Sequence, residues 1–180
     1  MRISTTRALS QPMDSREGAA TPPPSPIGGP WVEAFWFPVD APFRSKSNHR
    51  HSSKRAARAA WGRQAGFAEE ITLLTKTHRP PTWDLGDEHA PLSTRPIVVA
   101  VCVASTTIDA GNLTKTVLDA AQATVYWDDA SVRFDAALVD RSGSRTGGRV
   151  GFARLPADAT VGDIAAAGIA LTSSITADLP

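Results

Sequence analysis

Four acids and a lysine between residues 109 and 129 carry the densest chemistry in the sequence. Thr106-Thr107-Ile108-Asp109-Ala110-Gly111-Asn112-Leu113-Thr114-Lys115 runs straight off an apolar stretch into a carboxylate, a glycine, an amide and a cation. Val125-Tyr126-Trp127-Asp128-Asp129 follows, and its adjacent carboxylates repel unless water, a cation or a base offsets them. Taken alone, Asp128-Asp129 reads as a plain acidic turn, and Lys115 with Asp119, one helical turn on, as a surface ion pair. Taken together, Asp109, Asp128 and Asp129 form an oxygen-rich set suited to Mg²⁺ or Mn²⁺. Such a cation generates hydroxide and stabilises phosphoryl oxygens, while Lys115 offers charge to the phosphate or leaving group.

A second signal is electrostatic. Residues 41–63 contain Arg44, Lys46, Arg50, Lys54, Arg55, Arg58 and Arg63 and no acid, in a protein whose formal charge is +1. This is either a solvated loop and helix start or a surface for a polyanion, DNA or RNA backbone being the natural one. His49 and His51 lie inside it with no carboxylate nearby, which suits phosphate or solvent contact better than a metal. A basic surface, a carboxylate cluster and a lysine together describe metal-dependent phosphodiester cleavage.

The surrounding elements must position these groups. Trp31–Phe37 is an aromatic run that stops at Pro38 and predicts a first strand. Ser53–Leu74 predicts a helix, with Ala60, Phe67, Ile71 and Leu74 at helical spacing. Its basic front precedes Glu69-Glu70, the reverse of what the helix dipole favours. Residues 77–96 read as a polar connection or lid. Residues 97–107 are the strongest strand, with a continuous Val and Ile run expected of a central strand. Asn112 is the expected N-cap of an amphipathic helix with Leu113, Val117 and Ala121 on its apolar face. Val132–Asp140 and Arg149–Leu155 read as two strands, and a hairpin is the natural connection. Thr160 and Asp163 resemble a capping box ahead of a short alanine-rich helix over 164–169.

The order Asp109, Asn112, Lys115, Asp119, then Asp128-Asp129-x-x-Val132, resembles the signature of the RusA-like Holliday junction resolvases. Pro42 followed by Ser47-Asn48-His49-Arg50 is similar to that family's Pro…Asn-x-Arg element. The likeness spans roughly residues 31–155. It implies a small mixed β-sheet with helices packed against it, in a homodimer that cuts four-way DNA junctions with Mg²⁺ or Mn²⁺ during recombination and repair. The catalytic residues would be Asp109, Lys115 and Asp129, with metal on Asp109, Asp128 and Asp129 and Asp119 in support. DNA would meet Arg44, Lys46, Asn48, Arg50, Lys54, Arg55 and Arg58. The family's second aspartate falls on Gly111, which has no oxygen to give a metal. The alternative is therefore a DNA-binding protein of the same fold with weakened or lost cleavage.

Composition bounds the rest. At 180 residues and 42% hydrophobic, the chain can bury a core without staples. Residues 1–30 hold six of the 14 prolines and read as a disordered leader, 31–157 as the nuclease-like domain, and 158–180 as a short helix and tail. The single Cys102 excludes an internal disulfide and a cysteine-based metal cluster. The longest apolar run, Ile97–Ala104, is a strand length, so the expectation is a cytoplasmic protein with no membrane partner. Gly147-Gly148 lacks the lysine of a phosphate-binding loop.

Overall fold

The computed structural model describes residues 31, 33–40, 42–43, 53–85, 95–104, 110–140 and 147–177. These form a mixed α/β fold with one four-stranded mixed sheet between layers of helix. The elements in chain order are β1 (Glu33–Val39), α1 (Lys54–His78), β2 (Ile97–Ala104), α2 (Ala110–Ala121), a short 3-10 helix (Asp129–Ser131), β3 (Val132–Asp140), β4 (Gly148–Arg154) and α3 (Val161–Ala177). The strand order is β1-β4-β2-β3.

β2 is the spine, and its sequence explains why. Alternate residues enter opposite cores. Ile97, Val99, Val101 and Val103 pack under α1 and α2, while Val98, Ala100 and Cys102 pack under α3. A strand covered on both faces reads as an unbroken apolar run. Cys102 is buried there, and burial pushes its thiol upward, Asp140 adding to the rise and Arg149 opposing it.

The expected hairpin between residues 132–140 and 149–155 is not formed. β3 pairs parallel with β2, β4 pairs antiparallel with β2, and β2 lies between them. A polar Gly-Ser connection looks the same in sequence whether the chain turns onto its neighbour or passes across a third strand. The amide of Ala104, at the end of β2, donates to the Gly147 carbonyl at 3.0 Å where the chain returns.

Pro38 does not end β1. It pairs with Arg149, and the strand runs on to Val39. β1 is a sheet edge, where a missing N–H costs no ladder bond. Asn112 is likewise not the cap of α2, which begins at Ala110. Inside the helix, the Asn112 carbonyl accepts from the Thr116 hydroxyl at 3.0 Å.

The C-terminal helix is longer than its alanine-rich centre. Thr160 and Asp163 make the capping box: the Thr160 amide donates to Asp163 at 2.8 Å and the Asp163 amide donates to the Thr160 hydroxyl at 3.2 Å. The Thr160 hydroxyl, donating to the carboxylate at 2.6 Å, and then the Thr160 amide hold the Asp163 carboxyl below its usual range. The hydroxyls of Thr172, Ser173, Ser174 and Thr176 return their hydrogen bonds to carbonyls four residues back, so a polar stretch continues the helix. α3 lies close to the sheet at Gly168, where a Cβ would stand 2.4 Å from the Phe134 ring.

In the region expected to be a polar connection or lid, residues 79–85 are fastened to the core through Trp83, while Pro81, Thr82 and Asp84 are exposed. Trp83 is buried, meets Phe35 edge-on at 5.2 Å, and donates its indole N–H to the Val125 carbonyl at 3.0 Å. Arg79 donates to the Thr124 carbonyl at 2.7 Å. Residues 86–94 of that expected lid lie outside the described residues.

Candidate functional site

Two groups of residues carry the candidate chemistry: the acids around α2 and the basic front of α1.

α2 returns the chain from the end of β2 to the start of β3. Because β2 and β3 are parallel, the two ends of α2 serve opposite ends of the sheet. Its 12 residues rise about 1.5 Å each, which separates the ends by roughly 17 Å. Lys115 is exposed in its middle, and Asp119 is exposed one turn further on.

The turn beyond α2 fixes Asp128 and Asp129. Ala123 takes a positive φ of 59° and its amide donates to the Tyr126 carbonyl at 2.8 Å. The buried Tyr126 hydroxyl donates to the Leu118 carbonyl at 2.6 Å, and Gln122 donates to the Trp127 carbonyl at 3.1 Å. Arg79 and Trp83 hold the same turn from outside. Burial raises the Tyr126 phenol well above its ordinary value, and the charges of Asp129 and Asp119 raise it further. Asp119 and Asp129 therefore share the C-terminal end of α2.

Asp128 is exposed and caps the 3-10 helix, its carboxylate accepting the Ala130 amide at 2.9 Å. Asp129 is the exposed first residue of that helix. The aspartate pair thus has a local structural use as a helix start.

Asp109 lies outside the described residues. Ala110, which follows it, begins α2 at the end opposite to Asp128 and Asp129. Oxygen ligands sit about 2.0–2.6 Å from Mg²⁺ or a similar cation, far short of the length of α2. Among the described residues, no group of three His, Cys, Asp or Glu side chains is placed to hold a metal ion. The expected Mg²⁺ or Mn²⁺ centre is therefore corrected, and with it the description of the chain as a metal-binding nuclease. The acids were expected to converge because a strand, a helix and a second strand were taken to bring Asp109 to the pair. The parallel register sends the chain to the far end of the sheet instead.

Of the expected nucleic-acid contacts, Arg44, Lys46, Asn48 and Arg50 lie outside the described residues, as do His49 and His51. Lys54, Arg55 and Arg58 are described, and all three are exposed on α1 together with Arg63. Ser53 caps the helix, accepting the Ala56 amide at 3.1 Å, and its first turn contains no acid. Among the described side chains of residues 54–66 none is buried, whereas Phe67, Ile71 and Thr75 beyond them are. The back half of α1 is thus fastened to the core, and Thr72 ties it to α2 by donating to the Ala120 carbonyl at 2.8 Å. The front half contributes no buried side chain among the described residues.

That front half contains features that the described residues do not pack against. Trp61 is 75% exposed. Gly62 and Gly66 interrupt the helix interior, and a Cβ at either would meet nothing within 4 Å. Each glycine costs about 0.8–1 kcal/mol relative to alanine in such a position. Lys54 and Arg55 also sit in the first turn, where the helix dipole disfavours cations.

Sequence reading overlooked one buried charged cluster. Arg154 on β4 is 6% exposed, pairs with Glu33 on β1 and lies over the Trp83 ring at 4.8 Å. It also donates to the Asp84 carbonyl at 2.5 Å. Its signal in the sequence is weak: an arginine ending an otherwise apolar strand, opposite the glutamate that begins another.

A groove of about 450 Å³ runs between α1 and α2, with Leu73, Lys76, Glu69 and Asp119 along it. Among the described residues, no helix is long and apolar enough to cross a membrane. No protein-family model matches the sequence, and no curated protein matches it. The nuclease, DNA-binding, recombination and repair roles that the RusA-like resemblance implied therefore have no support from relatives.

Proposed function

We propose that the protein is a non-catalytic binding protein for the phosphate backbone of DNA, contacted by the basic segment of residues 44–63. The observation that supports this reading is the placement of Lys54, Arg55, Arg58 and Arg63. All are exposed on the part of α1 that the core does not hold, with no acid before Glu69. Lys54 and Arg55 work against the helix dipole in its first turn, and all four charges suit a polyanion. With Gly111 in place of an acid and no metal cluster among the described residues, binding without cleavage is the better reading.

The finer statement of fold, that this sheet and its helices are RusA-like, belongs to the same proposal. Its support is the motif's placement: Asn112, Lys115 and Asp119 on α2, then Asp128-Asp129 leading into β3. Branched DNA as the preferred form and a two-fold dimer to match it follow from that likeness.

The test is fluorescence anisotropy with a labelled four-way junction and a plain duplex across a salt series. Binding whose logarithm falls linearly with the logarithm of salt, with no product in Mg²⁺ or Mn²⁺, is the expected result. Absence of binding at low salt would overturn the backbone reading. Cleavage by the wild-type protein would overturn the non-catalytic one.

A further inference from the structure

We propose that the exposed face of the front half of α1 is a stacking platform for unpaired nucleotides. Trp61 carries a base, and Lys54 and Arg58 meet the flanking phosphates. This rests on the backbone-binding reading above and adds the class of nucleic acid that this helix takes.

The argument starts from helical geometry. Lys54, Arg58 and Trp61 stand at positions i, i+4 and i+7, within an arc of about 60° on one helix face. Lys54 and Trp61 are separated by about 10 Å along the axis, with Arg58 between them. All three are exposed, and the tryptophan is 75% so. An indole face in water beside cations suits a partner that is flat and apolar on one side and anionic on the other. An unstacked nucleotide has both properties. A closed duplex offers its phosphates while its bases remain stacked inside.

The glycines supply a separate observation. Gly62 and Gly66 are exposed about 100° and 140° round the helix from Trp61, on the flank of the platform beyond Arg58. Neither glycine makes room for another of the described residues, because a Cβ there would meet none of them within 4 Å. Their missing side chains leave the helix backbone bare one turn beyond Arg58, which is i,i+4 to Gly62. A bare strip of this kind admits close approach of a ligand lying on the helix to its backbone.

The experiment measures full-length wild type, Trp61→Phe, Trp61→Ala, Gly62→Ala and the pair Lys54→Gln with Arg58→Gln. The probes are a labelled single-stranded oligonucleotide and a duplex of the same length at one salt concentration. Trp61→Ala is expected to weaken single-strand binding about 5- to 150-fold, the range for one lost base stack, and duplex binding less than about 2-fold. Trp61→Phe retains most of the single-strand affinity. The paired charge variant weakens both probes. Gly62→Ala raises the melting temperature while weakening single-strand binding, a combination that a folding defect cannot produce. Equal losses on both probes with Trp61→Ala, or no loss on either, would overturn the platform and leave the backbone reading standing. Failure of wild type to bind either probe would overturn both. Binding to vesicles of anionic lipid through Trp61, with no preference for single strands, would reassign the face to a membrane surface. A dimer that buries Trp61 would reassign it to a second copy of the chain.

Discussion

Replacing Glu33 with glutamine would leave the Arg154 guanidinium without its carboxylate inside the protein. The side chains of Arg154 and Glu33 are only 7% and 14% exposed, so water cannot take over the role of the lost charge. Arg154 would keep the Asp84 carbonyl at 2.5 Å, the Thr82 carbonyl at 3.4 Å and the Trp83 ring at 4.8 Å. None of these neutralises it, and its Nε is already buried without a hydrogen-bond partner among the described residues. Removing one member of a buried pair costs about 3–5 kcal/mol. The retained carbonyls place the expected loss near the lower end, about 3 kcal/mol, or roughly 6–12 °C in melting temperature for a protein of this size. Replacing both members, Glu33→Leu with Arg154→Met, removes the charge together with its partner and is expected to cost less than about 1.5 kcal/mol. Urea unfolding of wild type, single and double variants measures the difference. A loss below about 1 kcal/mol for Glu33→Gln, or a double variant as unstable as the single, would refute the assignment of a coupled buried pair.

Two further predictions concern packing and titration. Gly168→Ala drives a Cβ into the Phe134 ring and is expected to destabilise by about 1–2 kcal/mol despite the better helix propensity of alanine, with Phe134→Leu recovering part of the loss in a double-variant cycle. Tyr126 is the single tyrosine of the chain, so its ionisation can be followed directly by ultraviolet absorbance. Its folded pKa lies above the unfolded value, so its contribution to stability is complete below about pH 10 and is lost as pH rises toward the folded value. Phenolate absorbance is expected to lag behind that of the denatured chain. Coincident titration of folded and denatured protein would contradict the buried hydrogen bond to Leu118.

The sequence carries its fold unevenly, and the reasons are local. β2 is legible because a strand covered on both faces shows itself as an unbroken run from Ile97 to Val103. The start of α3 is legible because Thr160 and Asp163 satisfy each other's backbone within four residues. Its continuation through Thr172–Thr176 is not, because those hydroxyls suit a loop as well as they suit the helix carbonyls they meet. The neighbour of β3 is hidden for a different reason. Alternation tells which face of a strand is covered and says nothing of which strand lies beside it, so β3 and β4 read as a hairpin although β2 separates them.

The candidate site divides in the same way. Residue types and spacing locate Asp128, Asp129, Lys115 and the basic segment without coordinates. Whether two acids meet depends on strand direction, and the parallel pairing of β2 with β3 sets the two ends of α2 at opposite ends of the sheet. The exposure of Trp61 was equally hidden. Trp61 lies off the stripe of Ala60, Phe67, Ile71 and Leu74, but the sequence does not say that the buried part of the stripe begins only at Phe67.

The central claim is that the front of α1 holds nucleic-acid backbone by charge, and the salt dependence of binding tests it most directly. Wild-type affinity for a duplex or junction should fall linearly on logarithmic axes as salt rises, and Lys54→Gln and Arg58→Gln should each reduce the slope by about 1. Slopes unchanged by both substitutions, or affinity indifferent to salt, would contradict it.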